Sequence, residues 1–148
     1  MPVPQKPPII LVRKLHADAV LPNKSDSMAA GFDLSLLESK TLGPGDVALL
    51  RTGISALPPA GAYFRINGRS GLTSRGFLVQ SGVVDCDYTG EIFVVMFNST
   101  RETVTFQKDM RIAQLVPELY SQFCRVEEVA ELKPEGDRGC QGFGSSGL

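Results

Sequence analysis

Glu91-Ile-Phe-Val-Val-Met-Phe97 is the stretch that decides the fold. It is apolar on both alternating faces, which reads as a central, buried strand. The same kind of short β-rich run, closed by Gly, Pro, Asn or Asp, recurs on either side of it. Upstream lie Ile9 to Leu15, Gly31 to Leu37, Val47 to Thr52, Ala62 to Ile66 and Phe77 to Val84. Downstream lie Val104 to Phe106, Ile112 to Pro117 and the alternating Phe123 to Val129. Thr41 to Asp46 and Pro58 to Gly61 read as turns, and Asp85 to Gly90 as a hairpin loop. One helical turn is expected at Leu72 to Arg75. Many short strands at regular spacing predict an all-β protein, a jelly-roll or sandwich-like barrel. Residues 1–133 form the expected domain. Lys133 to Asp137 reads as a hinge into a flexible glycine-rich arm over 134–148.

The bulk numbers narrow the function. At 148 residues the chain fits one domain with a real core. A net charge of −1 leaves no basic footprint for nucleic acid and no polybasic membrane anchor. The longest apolar run, Pro7 to Val12, is too short to span a bilayer. Without a signal-peptide pattern the expectation is an intracellular protein, cytoplasmic or nuclear and not secreted. The three cysteines, Cys86, Cys124 and Cys140, lack metal-ligand spacing and read as free thiols. The single His16 argues against a Cys/His zinc site and most catalytic triads. It is expected at the surface near a strand end.

Several segments suit chemistry at a phosphate. Asp85-Cys-Asp-Tyr-Thr-Gly-Glu91 gathers carboxylates and a tyrosine in one loop. Hydrolysis needs a carboxylate within reach of a water, and Asp85 ends an apolar strand. Tyr88 can lie on a sugar face, where a 2′-hydroxyl would collide with it. Equally, Asp and Gly are ordinary turn residues. Gly68-Arg69-Ser70-Gly71 offers a guanidinium, a hydroxyl and open backbone N–H groups. Gln114 is a polar amide in an apolar strand, free to hold either a phosphate oxygen or a structural partner. Asp33 sits inside a strand, where Asp is disfavoured unless it is at an edge or employed. The last eleven residues hold Arg138, four glycines, Phe143, Ser145 and Ser146. They read either as a frayed end or as an arm that closes over a nucleotide.

Taken in order, five segments resemble the motifs of the trimeric deoxyuridine triphosphatases (dUTPases). They are Ala30-Gly-Phe-Asp-Leu34, Gly68-Arg-Ser-Gly-Leu72, Gly82-Val-Val-Asp-Cys-Asp-Tyr-Thr-Gly-Glu-Ile92, Arg111-Ile-Ala-Gln-Leu115 and Arg138-Gly-Cys-Gln-Gly-Phe-Gly-Ser-Ser-Gly147. The resemblance implies a β-clip jelly roll and a homotrimer whose active sites are shared between chains. It implies hydrolysis of dUTP to dUMP and pyrophosphate, which keeps uracil out of DNA and supplies dUMP for thymidylate. Asp85 would activate the water that attacks the α-phosphorus, with Gln114 and Arg69 at the phosphates. Ser70 and Gly71 would hold phosphate, Gly82 and Val83 would read uracil through the main chain, and Tyr88 would stack on deoxyribose. Arg138, Gly144, Ser145 and Ser146 would grip the γ-phosphate end, and Phe143 would cover the base. Mg²⁺ would clamp the triphosphate, with Asp33 reaching it only through water.

The chain departs from the family pattern in places. Gly68 stands where Pro is usual, Val79 where Asn is common, Phe32 for Tyr and Ser146 for Thr. Asp109 and Met110 replace a Gly and an acidic residue. Asp tolerates a left-handed turn, so that geometry is expected to survive. Two alternatives are a catalytically silent, dUTPase-like interaction or signalling protein and a dCTP deaminase. The first would be marked by loss of Asp85, Tyr88 or the arm. The second needs a different acid–base set.

Overall fold

Period-two burial organises the sheets. In the strand Ala62–Asn67, Ala62, Phe64 and Ile66 are buried and Tyr63, Arg65 and Asn67 face outward. The computed structural model describes residues 6–133, 135–144 and 147. In chain order its strands are β1 (Leu11–Lys14), β2 (Phe32–Ser35), β3 (Lys40–Leu42), β4 (Val47–Arg51), β5 (Ile54–Leu57) and β6 (Ala62–Asn67). They continue as β7 (Phe77–Val79), β8 (Gly82–Val84), β9 (Phe93–Asn98), β10 (Val104–Phe106) and β11 (Arg111–Leu119). One short helix, α1 (Ser70–Thr73), follows β6.

All pairings between these strands are antiparallel. β2-β11-β6-β8 form a four-stranded sheet, β4-β9-β7 a three-stranded one, and β1-β5 and β10-β3 two short ladders. The all-β expectation holds, but among the described residues these sheets do not close into a barrel. Their inner faces share one core. Phe64, Ile112 and Leu115 come from one sheet, Leu50, Val94 and Met96 from the other, and Leu42 and Phe106 from a short ladder. The rings of Phe77 and Phe106 meet edge to face at 5.0 Å.

Five points of the sequence reading need correction. Ile54–Leu57 is a strand that the alternation did not reveal, because Ile54, Ser55 and Ala56 are all buried. Thr41 and Leu42 belong to β3, so the turn begins at Gly43. Phe77 to Val84 is two strands. β7 joins the three-stranded sheet and β8 the four-stranded one. Asp85 to Gly90 therefore carries the chain between sheets rather than closing a hairpin. Phe123 to Val129 forms no strand. Phe123 and Val126 are fully exposed, and no ladder partner in the described chain meets their alternation.

The deciding strand, β9, is central to its sheet, but only one of its faces is buried. Val94, Met96 and Asn98 point inward, while Val95 is half-buried and Phe97 exposed. Val47 and Leu49 on β4 and Leu78 on β7 are exposed as well. The outer side of this sheet is thus a contiguous apolar surface, of the kind that marks an association face. His16 is exposed, two residues past β1, as expected.

Asn98 locks the corner after β9. It is fully buried, and its Nδ2 donates to the carbonyls of Leu42, Gly43 and Glu102 at 3.1, 3.1 and 2.8 Å. Its Oδ1 accepts from the Thr100 N–H at 2.9 Å and the Thr100 hydroxyl at 2.7 Å. Asn98→Ala leaves these groups without their partner, at an expected cost of about 2–4 kcal/mol. Thermal unfolding should show a fall in Tm of about 5–12 °C. An unchanged Tm would refute the role.

Candidate active site

The candidate residues fall into three groups. The first surrounds a cavity of about 250 Å³ beside the crossing loop, lined by Ile66, Gly82, Val83, Val84, Asp85, Tyr88, Glu91, Ile92 and Phe93. Buried Val84 anchors the end of β8, so Asp85 leaves a fixed strand and emerges at the surface. The Tyr88 N–H donates to the Asp85 carbonyl at 3.1 Å, which closes the turn. The Tyr88 hydroxyl donates to the Glu91 carbonyl at 2.7 Å. Tyr88 is left 42% exposed and lines the cavity. β8 is the edge of its sheet, so the far side of Gly82–Val84 presents main-chain donors and acceptors with no neighbouring strand.

Two carboxylates line this cavity, and they differ. Glu91 is held by a two-pronged ion pair to Arg51, Nε to Oε2 at 3.1 Å and Nη2 to Oε1 at 2.9 Å. Among the described residues no hydrogen bond or ion pair occupies the carboxylate of Asp85. Asp85 is therefore the lining carboxylate available to a water. Beside it, the Tyr120 hydroxyl donates to Cys86 Sγ at 3.3 Å. Cys86, burial and the charges of Asp85 and Asp87 push the Tyr120 hydroxyl up to about 12. It stays a protonated donor throughout the physiological range.

Gly90 makes the Tyr88 arrangement possible. A Cβ there would lie 2.5 Å from Tyr88 Oη and 2.7 Å from its Cζ. Gly90→Ala should displace the ring or strain the loop by about 1–3 kcal/mol. A crystal structure of the variant should show the hydroxyl moved off the Glu91 carbonyl. A hydroxyl still seated there at an unchanged Tm would overturn this account.

The second group lies at the join of β2, β11 and β6. Gln114 faces Asp33 on one side and Asn67 on the other. Its Nε2 donates to the Gly68 carbonyl at 3.2 Å, so the structural partner left open by the sequence is present. A Cβ on Gly31 would sit 2.5 Å from Gln114 Oε1, so only glycine fits beside that amide. Asp33 lies between two guanidiniums, Arg69 Nε at 3.5 Å and Arg111 Nη1 at 3.4 Å. Arg69 Nη1 also donates to the Arg111 carbonyl at 3.1 Å. These contacts orient Arg69 at the start of α1, where Ser70 and Gly71 are exposed and buried Leu72 pins the turn. Asp109 has φ of 68°, the left-handed turn expected of it, and leads into β11.

The third group is the arm. Arg138 and Gly144 are exposed, as is the whole Phe143 ring, and none of the three lines the cavity. The Gln141 N–H donates to the Arg138 carbonyl at 3.2 Å, a local turn. Ser145 and Ser146 lie outside the described residues. The cavity is likewise lined by none of Asp33, Arg69, Ser70, Gly71 or Gln114. The structure thus brings together Gly82, Val83, Asp85 and Tyr88 at the cavity, and separately Asp33, Arg69 and Gln114, while Arg138, Phe143 and Gly144 do not line the cavity.

Sequence reasoning missed Arg51, Ile66 and Phe93, and gave Arg111 no role. Arg51 lies 40 residues from its partner Glu91, and nothing local in the sequence signals such a pair. Among the described residues no three His, Cys, Asp or Glu side chains are grouped to hold a metal ion. No helix among them is long and apolar enough to cross a membrane.

The family model described as dUTPase matches residues 17–147. The chain is 39% identical over 135 residues to the deoxyuridine 5′-triphosphate nucleotidohydrolase of Mus musculus, covering 90% of this chain and 82% of the relative. It is 36% identical over 140 residues to that of Saccharomyces cerevisiae, covering 94% and 95%. In fold it is similar to a variant of the Staphylococcus bacteriophage 80alpha dUTPase solved with dUpNHpp. The TM-score is 0.87 at 23% identity, with 95% of this chain and 99% of that chain covered.

Proposed function

The chain belongs to the dUTPase family and is a dUTP diphosphatase, and from that premise we propose that Asp85 is its general base and that each active site is assembled from more than one chain. The observation that carries the first part is the difference between the two lining carboxylates. Glu91 is engaged by Arg51, and Asp85 is not engaged. A water held by Asp85 attacks the α-phosphorus. Its oxygen bonds to phosphorus, the bond from phosphorus to the bridging oxygen of the β-phosphate breaks, and the water's proton passes to the Asp85 carboxylate. The products are dUMP and pyrophosphate.

The open edge of β8 suits uracil. Main-chain donors and acceptors at Gly82 and Val83 match its imide edge, and cytosine would leave them unpaired. Ile66 and Phe93 supply apolar wall beside them, against which a 5-methyl group would be excluded. Tyr88 lies on the deoxyribose and excludes a 2′-hydroxyl. Arg69, Ser70 and Gly71 hold phosphate oxygens, with Gln114 keeping the Gly68 turn in place beside them. Arg138, Gly144, Ser145 and Ser146 close on the terminal phosphate, and Phe143 covers the base. The donor set fits a magnesium ion that arrives with the triphosphate, since Mg²⁺ keeps its waters and takes mainly phosphate oxygens. Asp33, already shared by two arginines, would contribute through water. When bound, the ion offsets charge on the departing pyrophosphate.

A shared site is supported by the three separate residue groups in one chain. It is supported too by the uncovered apolar faces. The outer side of β4-β9-β7 and the exposed Phe123, Val126 and Leu132 beyond β11 are surfaces a homotrimer would bury. Pyrophosphate release with magnesium tests the reading. Turnover is expected on dUTP and not on dCTP, dTTP or UTP. No turnover on any nucleotide would point to a silent binding protein. Ammonia from dCTP would point to a deaminase.

A further inference from the structure

The loop that carries Asp85 and Tyr88 is tied down by a part of the chain that contributes nothing to the cavity. Residues 91 and 92 are clamped onto the corner between β4 and β5. Arg51 grips the Glu91 carboxylate with two donors. The Thr52 hydroxyl donates to the Ile92 carbonyl at 2.5 Å, and the Ile92 N–H donates to the Ile54 carbonyl at 2.8 Å. The Glu91 side chain is only 9% exposed, against 42% for Arg51. A carboxylate so enclosed depends on its counter-ion, and the planar guanidinium fork fixes its direction as well as its charge. The clamp then reaches the ring. The Glu91 carbonyl is the acceptor for the Tyr88 hydroxyl, and Gly90 between them leaves room for the ring to lie across the loop.

We propose that Arg51 is a positioning residue for sugar discrimination, holding the Tyr88 ring in place through Glu91. This rests on the reading that Tyr88 lies on the deoxyribose. Exclusion of a 2′-hydroxyl is steric, and a steric wall discriminates only as well as it is held. Arg51 lines no part of the cavity, so it acts on selectivity through the loop rather than on the reacting atoms.

The test compares kcat/KM for dUTP and for UTP in the full-length chain. In Arg51→Gln the dUTP-to-UTP ratio should fall by about tenfold, the scale of a loosened packing contact. Tyr88→Phe, which removes the hydroxyl but keeps the ring, should lower the ratio similarly. The double variant should be no worse than either single one, because both interrupt one chain of contacts. Arg51→Lys, with charge but no fork, should recover part of the ratio. Glu91→Gln carries the same prediction should Arg51→Gln fold poorly. Equal losses on both nucleotides, with the ratio unchanged, would overturn the proposal. Tyr88→Ala separates the two levels. If it destroys the ratio while Arg51→Gln and Glu91→Gln do not, the ring selects without the clamp and the proposal fails alone. If Tyr88→Ala also leaves the ratio intact, the sugar-stacking reading fails with it.

Discussion

Asp85→Asn is expected to lower dUTP turnover by about 10²–10⁴-fold, the range for loss of a positioned general base. Nucleotide affinity should stay within a few-fold of the parent. The amide has nearly the carboxylate's shape and can still hydrogen-bond a water, but it cannot take the proton. Neighbouring carboxylates offer no replacement. Asp33 is held by Arg69 and Arg111, and Glu91 by Arg51. Asp87, though exposed, does not line the cavity. Single-turnover pyrophosphate release measures the chemical step, and calorimetry with the imido analogue measures binding. Asp87→Asn is the matched control and should leave turnover close to the parent. Near-normal turnover in Asp85→Asn would sink the base assignment. A parallel loss of binding would mean that Asp85 holds the substrate instead.

Much of this molecule was legible in the residues, and the exceptions share a cause. Short β-rich runs closed by Gly, Pro, Asn or Asp located β1, β2, β4, β6, β10 and β11, and a run apolar on both faces located β9. β5 escaped because Ile54-Ser-Ala-Leu57 is short and half of it is small residues, so it shows neither alternation nor a long apolar run. The division of Phe77 to Val84 escaped because alternation reports burial but not which sheet a strand joins. The Phe123 to Val129 alternation misled for a related reason. Its apolar side chains, Phe123, Val126 and Val129, are exposed, and no strand among the described residues covers them. The same holds for Val95 and Phe97 on β9, whose outer side looks like core in the sequence and is surface in the monomer. In the site, Asp85 and Tyr88 were legible because one loop holds both. The Arg51–Glu91 and Asp33–Arg69–Arg111 pairs were not, because charges far apart in sequence carry no mark of their partners.

Removing Gly139 to Leu148 should leave a folded protein that is severely impaired. Among these residues, the described ones lie outside the hydrophobic core, and the Phe143 ring is entirely exposed. Tm should therefore stay within a few degrees of the parent. Catalysis should fall by about 10²-fold or more, because on the proposed reading the triphosphate would lose both its terminal grip and the cover that excludes water. An unchanged rate would reduce the arm to a frayed end. The truncated chain also tests whether sites are shared. It keeps Asp85 but lacks the arm, whereas Asp85→Asn keeps the arm but lacks the base. Each alone should be nearly inactive. Refolded together, the two variants would, on the proposed trimeric assembly, form mixed oligomers in which one chain supplies Asp85 and another the arm. Activity well above the sum of the separate variants is expected if sites are built across chains. If every chain closes its own site, no mixture can restore a complete one, and the activity of the mixture stays at that sum.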